Sequence, residues 1–400
     1  MASLQHCALG ERVRSFSLTP IKVCHFSSVH PADDVRIFHK ECKTLAAQPN
    51  LEVHFVGNPP LHVGNSGVIF HPLPISTRSG RLKRILVRGL QAYRLALAVD
   101  ADVYHFHDPE LLPWGMLLKL RGRLVIYDAH EDVPRDILTK AWIPRLFRQL
   151  VANVAERVEN FIARRLDVVI TATPFICDRF AANGVTSVAI NNFPKLGELE
   201  CTREIEGALS SGKLKNVCYT GAITEERGAI QMVSALSKVN VNLLLAGKFS
   251  PNLLRETLSQ LEGWSRVCDL GLVTRDQLPK IFATSFAGLV LFHPVPNNIN
   301  AQPNKLFEYM SSGLPVVASD FPLWRKLIEE IGCGLCVDPL RPDAIADAIC
   351  WLRDNPDTAT QMGARGKKAV LERFNWESEG ARLIALYQRL IEQHLSSGGE

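Results

Sequence analysis

Lys305 and Glu308 stand three residues apart in Gln302-Pro-Asn-Lys-Leu-Phe-Glu-Tyr-Met-Ser-Ser-Gly-Leu-Pro-Val-Val-Ala-Ser-Asp320, and helical spacing puts both on one face. The stretch reads as a polar loop, a short helix opening near Asn304, a stop at Gly313 and a buried strand over Val316–Ser319. At the start of such a helix, unbonded N–H groups and the dipole favour an anion. A lysine adds to that field, and a carboxylate one turn along can accept two sugar hydroxyls. This is the outline of a pocket for a nucleoside diphosphate, with Lys305 on the phosphates and Asn304 and Glu308 beside the donor.

Other chemistry-bearing residues follow expected strands, where an open parallel sheet presents its ligands. In Tyr219-Thr-Gly-Ala-Ile-Thr-Glu-Glu-Arg-Gly228, Gly221 permits close approach to the backbone and Arg227 can fork onto phosphate oxygens. The segment lacks both the dinucleotide glycine fingerprint and the GKS of a P-loop. Leu245-Ala-Gly-Lys-Phe249 repeats the arrangement with Lys248. Arg227, Lys248 and Lys305 converging would supply a diphosphate-sized positive charge. The first half carries three polar loops of this kind: His30, Asp33, Asp34 and Arg36; His107 and Asp108 in His105-Phe-His-Asp-Pro-Glu110; and His130 and Glu131 in Tyr127-Asp-Ala-His-Glu-Asp132. His130 is the residue expected to donate to a sugar hydroxyl or a departing phosphate. No metal site is expected. Asp100-Ala-Asp102 precedes its strand, Cys333-Gly-Leu-Cys336 is a lone pair, and His105 and His107 lack an evident third ligand.

Short apolar runs alternate with helical patterns along the whole chain, which signals parallel α/β architecture. Strands are expected at Ile21–Ser27, Leu51–Val56, Val103–His107, Leu124–Asp128 and Val168–Ala172, with a long amphipathic helix over Leu146–Arg165. The pattern breaks around Asn191-Asn-Phe-Pro-Lys195, and a polar stretch runs to Lys215. A second alternation follows, with strands at Val217–Thr220, Val241–Ala246, Val267–Leu270, Gly288–Phe292, Val316–Ser319 and Gly334–Val337. The spacing predicts two doubly wound domains, 1–195 (with 1–19 flexible) and 196–375, followed by a helix and tail over 376–400.

Four hundred residues exceed one ordinary core, and the 46% hydrophobic and 22% charged fractions suit a soluble globular protein. No run reaches the roughly 18 uncharged apolar residues needed to span a bilayer. Glu11, Arg12 and Arg14 interrupt the position of a signal-peptide core, so a cytoplasmic location is expected. Ten scattered cysteines fit reduced thiols. The net charge of +4 is uneven: no acid lies between Glu52 and Asp100, where Arg78, Arg81, Lys83, Arg84, Arg88 and Arg94 crowd together. Leu82, Ile85, Leu86, Leu90, Tyr93 and Leu97 recur among them, so 78–97 reads as a basic amphipathic helix. It suits an anionic membrane surface on the inner face of the cytoplasmic membrane, or equally a packed helix with a solvated basic face. No nucleic-acid partner is expected.

Taken together, the segments Ser28-Val-His-Pro-Ala-Asp-Asp-Val-Arg-Ile-Phe-His-Lys-Glu41, His107-Asp-Pro-Glu-Leu-Leu-Pro113, Ile126-Tyr-Asp-Ala-His-Glu-Asp-Val-Pro-Arg135, Tyr219 to Gly228 and Pro303 to Val317 resemble the retaining glycosyltransferases of family 4. The resemblance covers nearly the full length and lies nearest the subgroup serving bacterial capsule, exopolysaccharide and O-antigen assembly. Phe374-Asn-Trp-Glu377 before the last helix fits as well. The family implies a GT-B fold: two Rossmann-like parallel-sheet domains facing across a cleft, with a terminal helix crossing back to the first. It also implies an acceptor held by the first domain, a nucleotide-diphosphate sugar held by the second, and no metal or other cofactor.

By the resemblance, Glu308 grips the ribose, Lys305 lies near the diphosphate and His130 faces the donor sugar. Acceptor contacts would come from His30, Asp33, Asp34, Arg36, His107, Asp108 and Glu131. Two positions depart from the family pattern. Its first acidic residue is here Asn300, and its usual phosphate-binding arginine is here Ala222, which leaves more phosphate charge to Arg227 and Lys305. The expected activity is hexosyl transfer with retention to a lipid-linked glycan. A non-catalytic partner in polysaccharide assembly and a sugar-nucleotide epimerase are the alternatives.

Overall fold

The computed structural model describes residues 20–59, 64–74, 81–140, 142–200 and 215–397. Expectations for 1–19, for Arg78 and for most of the polar stretch before Lys215 lie outside them. Among the described residues, thirteen strands form two sheets. The first comprises β1 (Ile21–Pro31), β2 (Leu51–Asn58), β3 (Val68–Pro72), β4 (Val103–Phe106), β5 (Leu124–Ala129), β6 (Val168–Thr171) and β7 (Ser187–Ala189), in the order β3-β2-β1-β4-β5-β6-β7. The second comprises β8 (Asn216–Thr220), β9 (Asn242–Ala246), β10 (Val267–Gly271), β11 (Ala287–Val290), β12 (Val316–Ser319) and β13 (Gly334–Val337), in the order β10-β9-β8-β11-β12-β13. This is the two-sheet α/β architecture expected of GT-B.

The chain divides into two compact units, Met1–His105 and Phe106–Glu400, the cut falling at the end of β4. In the first, β1 and β2 pair in parallel from Ile21 opposite Leu51 to Phe26 opposite Val56. β3, absent from the sequence reading, joins the far side of β2. The helix Arg81–Val99 turns Ala92, Tyr93, Ala96 and Val99 inward. Two features of its expected amphipathic pattern change. Leu86, placed on the apolar face, is 58% exposed. Arg88, counted among the solvated cations, donates from Nε to the Ser28 carbonyl at 3.1 Å and pairs with Asn58, so it serves the interior.

In the second unit, period-2 alternation sorts residues of the second sheet into two cores. Val217, Tyr219, Leu243, Leu245, Leu289 and Val317 face one way with Met232, Val233, Ile345 and Ile349. Cys218, Val290, Val316 and Ala318 face the other with Phe307, Tyr309, Met310 and Trp324. Both faces are covered, which is why these strands read as unbroken apolar runs. Every described cysteine is a free thiol.

The terminal helix Trp376–Ser397 returns to the first sheet and packs on β5. Its Glu379 accepts from the Asn191 backbone N–H at 2.9 Å and from the Asn191 amide at 3.2 Å, all buried. Trp376 N donates to the Pro194 carbonyl at 2.9 Å. Glu379→Ala strands two buried donors and is expected to lower the free energy of unfolding by about 1–3 kcal/mol. Urea denaturation measures this, and an unchanged midpoint would remove the contact from the account of how the helix is anchored.

Candidate functional site

In the second sheet the strand order reverses between β8 and β11, the crevice where doubly wound sheets hold ligands. Gly221 leaves β8 with φ +115°, where a Cβ would sit 2.7 Å from the Lys305 Nζ. Only glycine meets both the backbone geometry and the close approach. The next loop touches it: a Cβ on Gly247 would lie 1.8 Å from the Gly221 carbonyl oxygen, and Ile223 N donates to the Lys248 carbonyl at 2.9 Å. Arg227 ends a short turn at Gly228, whose φ is +75° and whose absent Cβ leaves room for the Leu291 carbonyl.

Two of the three expected cations meet here. Lys305 Nζ lies 5.2 Å from the Tyr219 ring centroid and 5.9 Å from that of Phe292, and the Arg227 guanidinium carbon lies 5.4 Å from Phe292. The Lys248 side chain is exposed, one residue beyond Gly247. Lys305 pays for its position in charge: burial, then Arg227, pull its pKa down to about 7, with Glu308 acting against them. Two cations around an aromatic nook is an arrangement that an arriving anion relieves.

Lys305 and Glu308 belong to the helix Asn304–Ser311, which carries no side-chain cap at Pro303. Tyr309 sets its height. The ring lies against Gly288, and its hydroxyl accepts from Thr220 N at 3.1 Å. Glu308 is buried and accepts at Oε1 from Arg275 at 2.9 Å. Arg275 also pairs with both oxygens of Glu198, and these hydrogen bonds and carboxylates raise its pKa further against the opposing effect of burial. Sequence reasoning missed Arg275 and Glu198. The clue was Arg275's place just beyond β10, the same strand-end position as the residues it did select. Asn300 follows the turn Pro296–Ile299, and Ala222 is exposed on the glycine loop.

At the end of β5, His130 Nε2 lies 2.8 Å from Asp128 Oδ2, and His107 Nδ1 lies 3.2 Å from both. His107, expected to touch an acceptor, is fully buried and stands behind His130 instead. Burial holds its pKa down to about 4, with Asp128 opposing, so its ring is neutral at ordinary pH. The short bond fits His130 donating from Nε2 to Asp128. Asp108 is buried and Glu131 is exposed.

Beneath this loop, Asp132 and Glu159 share buried Arg179, at 3.5 and 2.8 Å, and Tyr127 donates to Glu159. Desolvation raises the pKa of both carboxylic acids, while Arg179 opposes it. The helix Val133–Thr139 that follows packs on Pro296–Ile299, the segment leading to Asn304. His107, Asp128 and His130 also place one ligand atom each within 4.8 Å of one another, so the fold supplies partners that the sequence did not show for His107.

In the first unit, β1 runs on to Pro31, so His30 sits on the strand tail. Asp34 caps the next helix, Val35–Cys42, accepting from Arg36 N at 2.8 Å and Ile37 N at 3.0 Å, with His30 3.8 Å away. Arg36 is buried against Glu41 at 3.1 Å, a partner inside the fold in place of the expected acceptor contact. Asp33 is exposed.

Two family models match the chain: a glycosyl transferase 4-like domain over residues 35–194 and glycosyl transferases group 1 over residues 202–369. The phosphatidyl-myo-inositol mannosyltransferase of Mycobacterium tuberculosis is 25% identical over 72% of this chain and 74% of its own. The MMP alpha-(1->4)-mannosyltransferase of Mycolicibacterium hassiacum is 22% identical over 76% and 74%. Among solved structures, sucrose-phosphate synthase from Thermosynechococcus elongatus superimposes with a TM-score of 0.76 at 19% identity, covering 93% of this chain and 100% of that one. Anabaena HepE in complex with UDP-glucose gives 0.70 at 14% identity, covering 92% and 100%. A doubly wound pair of sheets with cations at one switch point, matched by these proteins, is a nucleotide-sugar glycosyltransferase of the GT-B type. Within that class the chain belongs to glycosyltransferase family 4.

The lowered lysine pKa has a thermodynamic consequence. Below about pH 7 both folded and unfolded chains carry the proton on Lys305, and the folded state bears the full penalty. The penalty fades as pH rises from about 7 towards the lysine's ordinary 10.5. Lys305→Met is therefore expected to stabilise the fold by an amount on the order of 1–4 kcal/mol at pH 6, shrinking steadily towards pH 10. Denaturation curves across that range check it, and a gain independent of pH would contradict the charged-lysine account.

Proposed function

We propose that this chain transfers a hexose from a nucleoside-diphosphate sugar to a hydroxyl of a lipid-linked glycan, with retention of configuration, in cell-surface polysaccharide biosynthesis. In this reading residues 1–195 serve the acceptor, 196–375 the donor, and 376–400 tie the two. One observation carries it: Lys305 and Arg227 gather around Gly221 at the switch point of the second sheet, one helical turn from Glu308. Lipid attachment of the acceptor draws on the Mycobacterium tuberculosis relative, whose name places its reaction on phosphatidyl-myo-inositol.

The diphosphate lies against Lys305, Arg227 and the Gly221 backbone, with Lys248 at the rim. Glu308 Oε1 is held by Arg275, and its other oxygen accepts from the ribose, with Asn304 alongside. Breaking the bond between the anomeric carbon and the phosphate oxygen moves negative charge onto the leaving diphosphate, where prearranged cations lower the barrier most. The acceptor oxygen bonds to the same face of that carbon, and its proton passes to a phosphate oxygen of the departing nucleotide. His130 donates to a donor-sugar hydroxyl or the leaving phosphate, with Asp128 beside the ring. His30, Asp33 and Glu131 contact the acceptor, and Asp34, Arg36, His107 and Asp108 shape that side from within. The chemistry calls on no metal, and the protein works at the inner face of the membrane, with cations of the helix Arg81–Val99 drawn to anionic lipid.

The test is a panel of UDP- and GDP-sugars, with and without a polyprenyl-diphosphate glycan, followed by mass spectrometry. Transfer or slow hydrolysis of one donor is expected, and Arg227→Ala should lower its turnover by about two orders of magnitude. Activity that survives Arg227→Ala would remove that residue from the mechanism. Absence of nucleotide binding by calorimetry would favour a non-catalytic partner, and conversion of UDP-GlcNAc alone to its epimer would favour an epimerase. At pH 8, diphosphate binding should draw a proton onto Lys305, seen as a buffer-dependent binding enthalpy that Lys305→Met abolishes.

A further inference from the structure

The helix Arg145–Ala163 exposes most of its large apolar side chains. Its inward face combines buried Ala152, Ile162 and Ala163 with polar groups: Glu159 is buried against Arg179 and Tyr127, Glu156 pairs with Arg135 at 3.0 Å, and Asn160 is buried. Its outward face carries Leu146, Phe147, Leu150, Val154, Val158 and Phe161, exposed by 86, 53, 60, 49, 51 and 53% respectively. At 3.6 residues per turn these six fall within an arc of about 120° on the side away from the core, an apolar stripe that exposed Arg157 shares near one edge. A surface helix ordinarily does the reverse, and a contiguous exposed stripe of this kind marks a binding face.

Charge decides what the face binds. The exposed charged residues on the helix and at its end are Arg145, Arg157, Arg164 and Arg165, while both of its acids are drawn inward into ion pairs. Arg165 lies over the Phe161 ring at 3.7 Å, its cation beside the apolar stripe. A second copy of this chain would bring one arginine rim against another. An anionic lipid surface instead meets the cations with phosphate and takes the leucine, valine and phenylalanine side chains into its acyl boundary. Among its described side chains, the helix Arg81–Val99 exposes Leu86 and Val87 and packs Ala92, Tyr93 and Ala96 inward.

We infer that the outward face of the helix Arg145–Ala163 is a membrane-insertion surface, lying in the plane of an anionic bilayer with its apolar stripe below the phosphates. The inference is independent of the transferase reading, since it concerns binding and not turnover.

Cosedimentation of the full chain with vesicles of phosphatidylcholine containing phosphatidylglycerol tests it. Wild type is expected to bind these at least tenfold more tightly than pure phosphatidylcholine vesicles. Leu150→Glu with Phe161→Glu should abolish the binding while leaving the thermal unfolding midpoint unchanged, because both sites are exposed. Val154→Trp should add emission that brominated lipid quenches. Undiminished vesicle binding by the double variant would overturn the inference, as would loss of binding only when Arg81, Lys83 and Arg84 become Gln. A stripe-dependent dimer by light scattering, without vesicle binding, would assign the face to a second copy.

Discussion

A partly buried lysine ammonium beside an arginine is the constraint on which the switch-point site depends. Neither charge stabilises the folded chain on its own account, since burial and mutual repulsion both act against Lys305. What keeps it there is geometry. Gly221 leaves a gap of one methyl group, Tyr309 fixes the helix by its hydrogen bond to Thr220, and the Phe292 ring lies close to both cations. The strain is electrostatic and is relieved by a ligand of opposite charge. A site built this way holds its field before the ligand arrives, so little reorganisation remains when charge develops on a leaving group.

The histidine pair at the end of β5 is governed by the opposite logic. Asp128, His107 and His130 are all close, yet the burial that keeps His107 neutral prevents the cluster from accumulating positive charge. Asp128 is then left to orient His130. The buried network of Asp132, Arg179 and Glu159 sits directly under the same loop, which ties the position of His130 to the inward face of the helix Arg145–Ala163. Polar groups share that inward face with Ala152, Ile162 and Ala163, and the larger apolar side chains of the helix lie outward.

The alternation of apolar runs and helical patterns made most of the fold legible. β12 and β13 occupy the expected residues, and β1, β2, β5 and β8 differ only at their ends. β3 and β7 were missed because edge strands are short and half-buried, so they lack the continuous apolar run that identifies an internal one. The pairing of Lys305 with Glu308 and the place of Gly221 were readable from spacing. Tertiary partners were not. Nothing local distinguishes Arg36, buried on Glu41, from Arg227 beside the switch point, or marks Arg275 as the partner of Glu308. Amphipathicity was misleading in a specific way: periodicity reports that a helix has an apolar stripe, and gives no information on which side the stripe faces.

Arg275 adds a final step to the donor side. A buried carboxylate that is to accept hydroxyls is best held by a fixed donor of opposite charge. Arg275 supplies the compensating charge from the far side, at 2.9 Å, while Glu198 takes up the rest of its guanidinium donors. Glu308 is thereby kept as an acceptor with one oxygen fixed and one directed to a ligand. Lys305, three residues earlier on the same helix, has no such partner and is left with its charge only loosely held. One short helix thus presents a carboxylate gripped by an arginine and an ammonium whose pKa burial and Arg227 pull down to about 7. That combination suits a ligand whose sugar end is neutral and whose diphosphate end carries the charge.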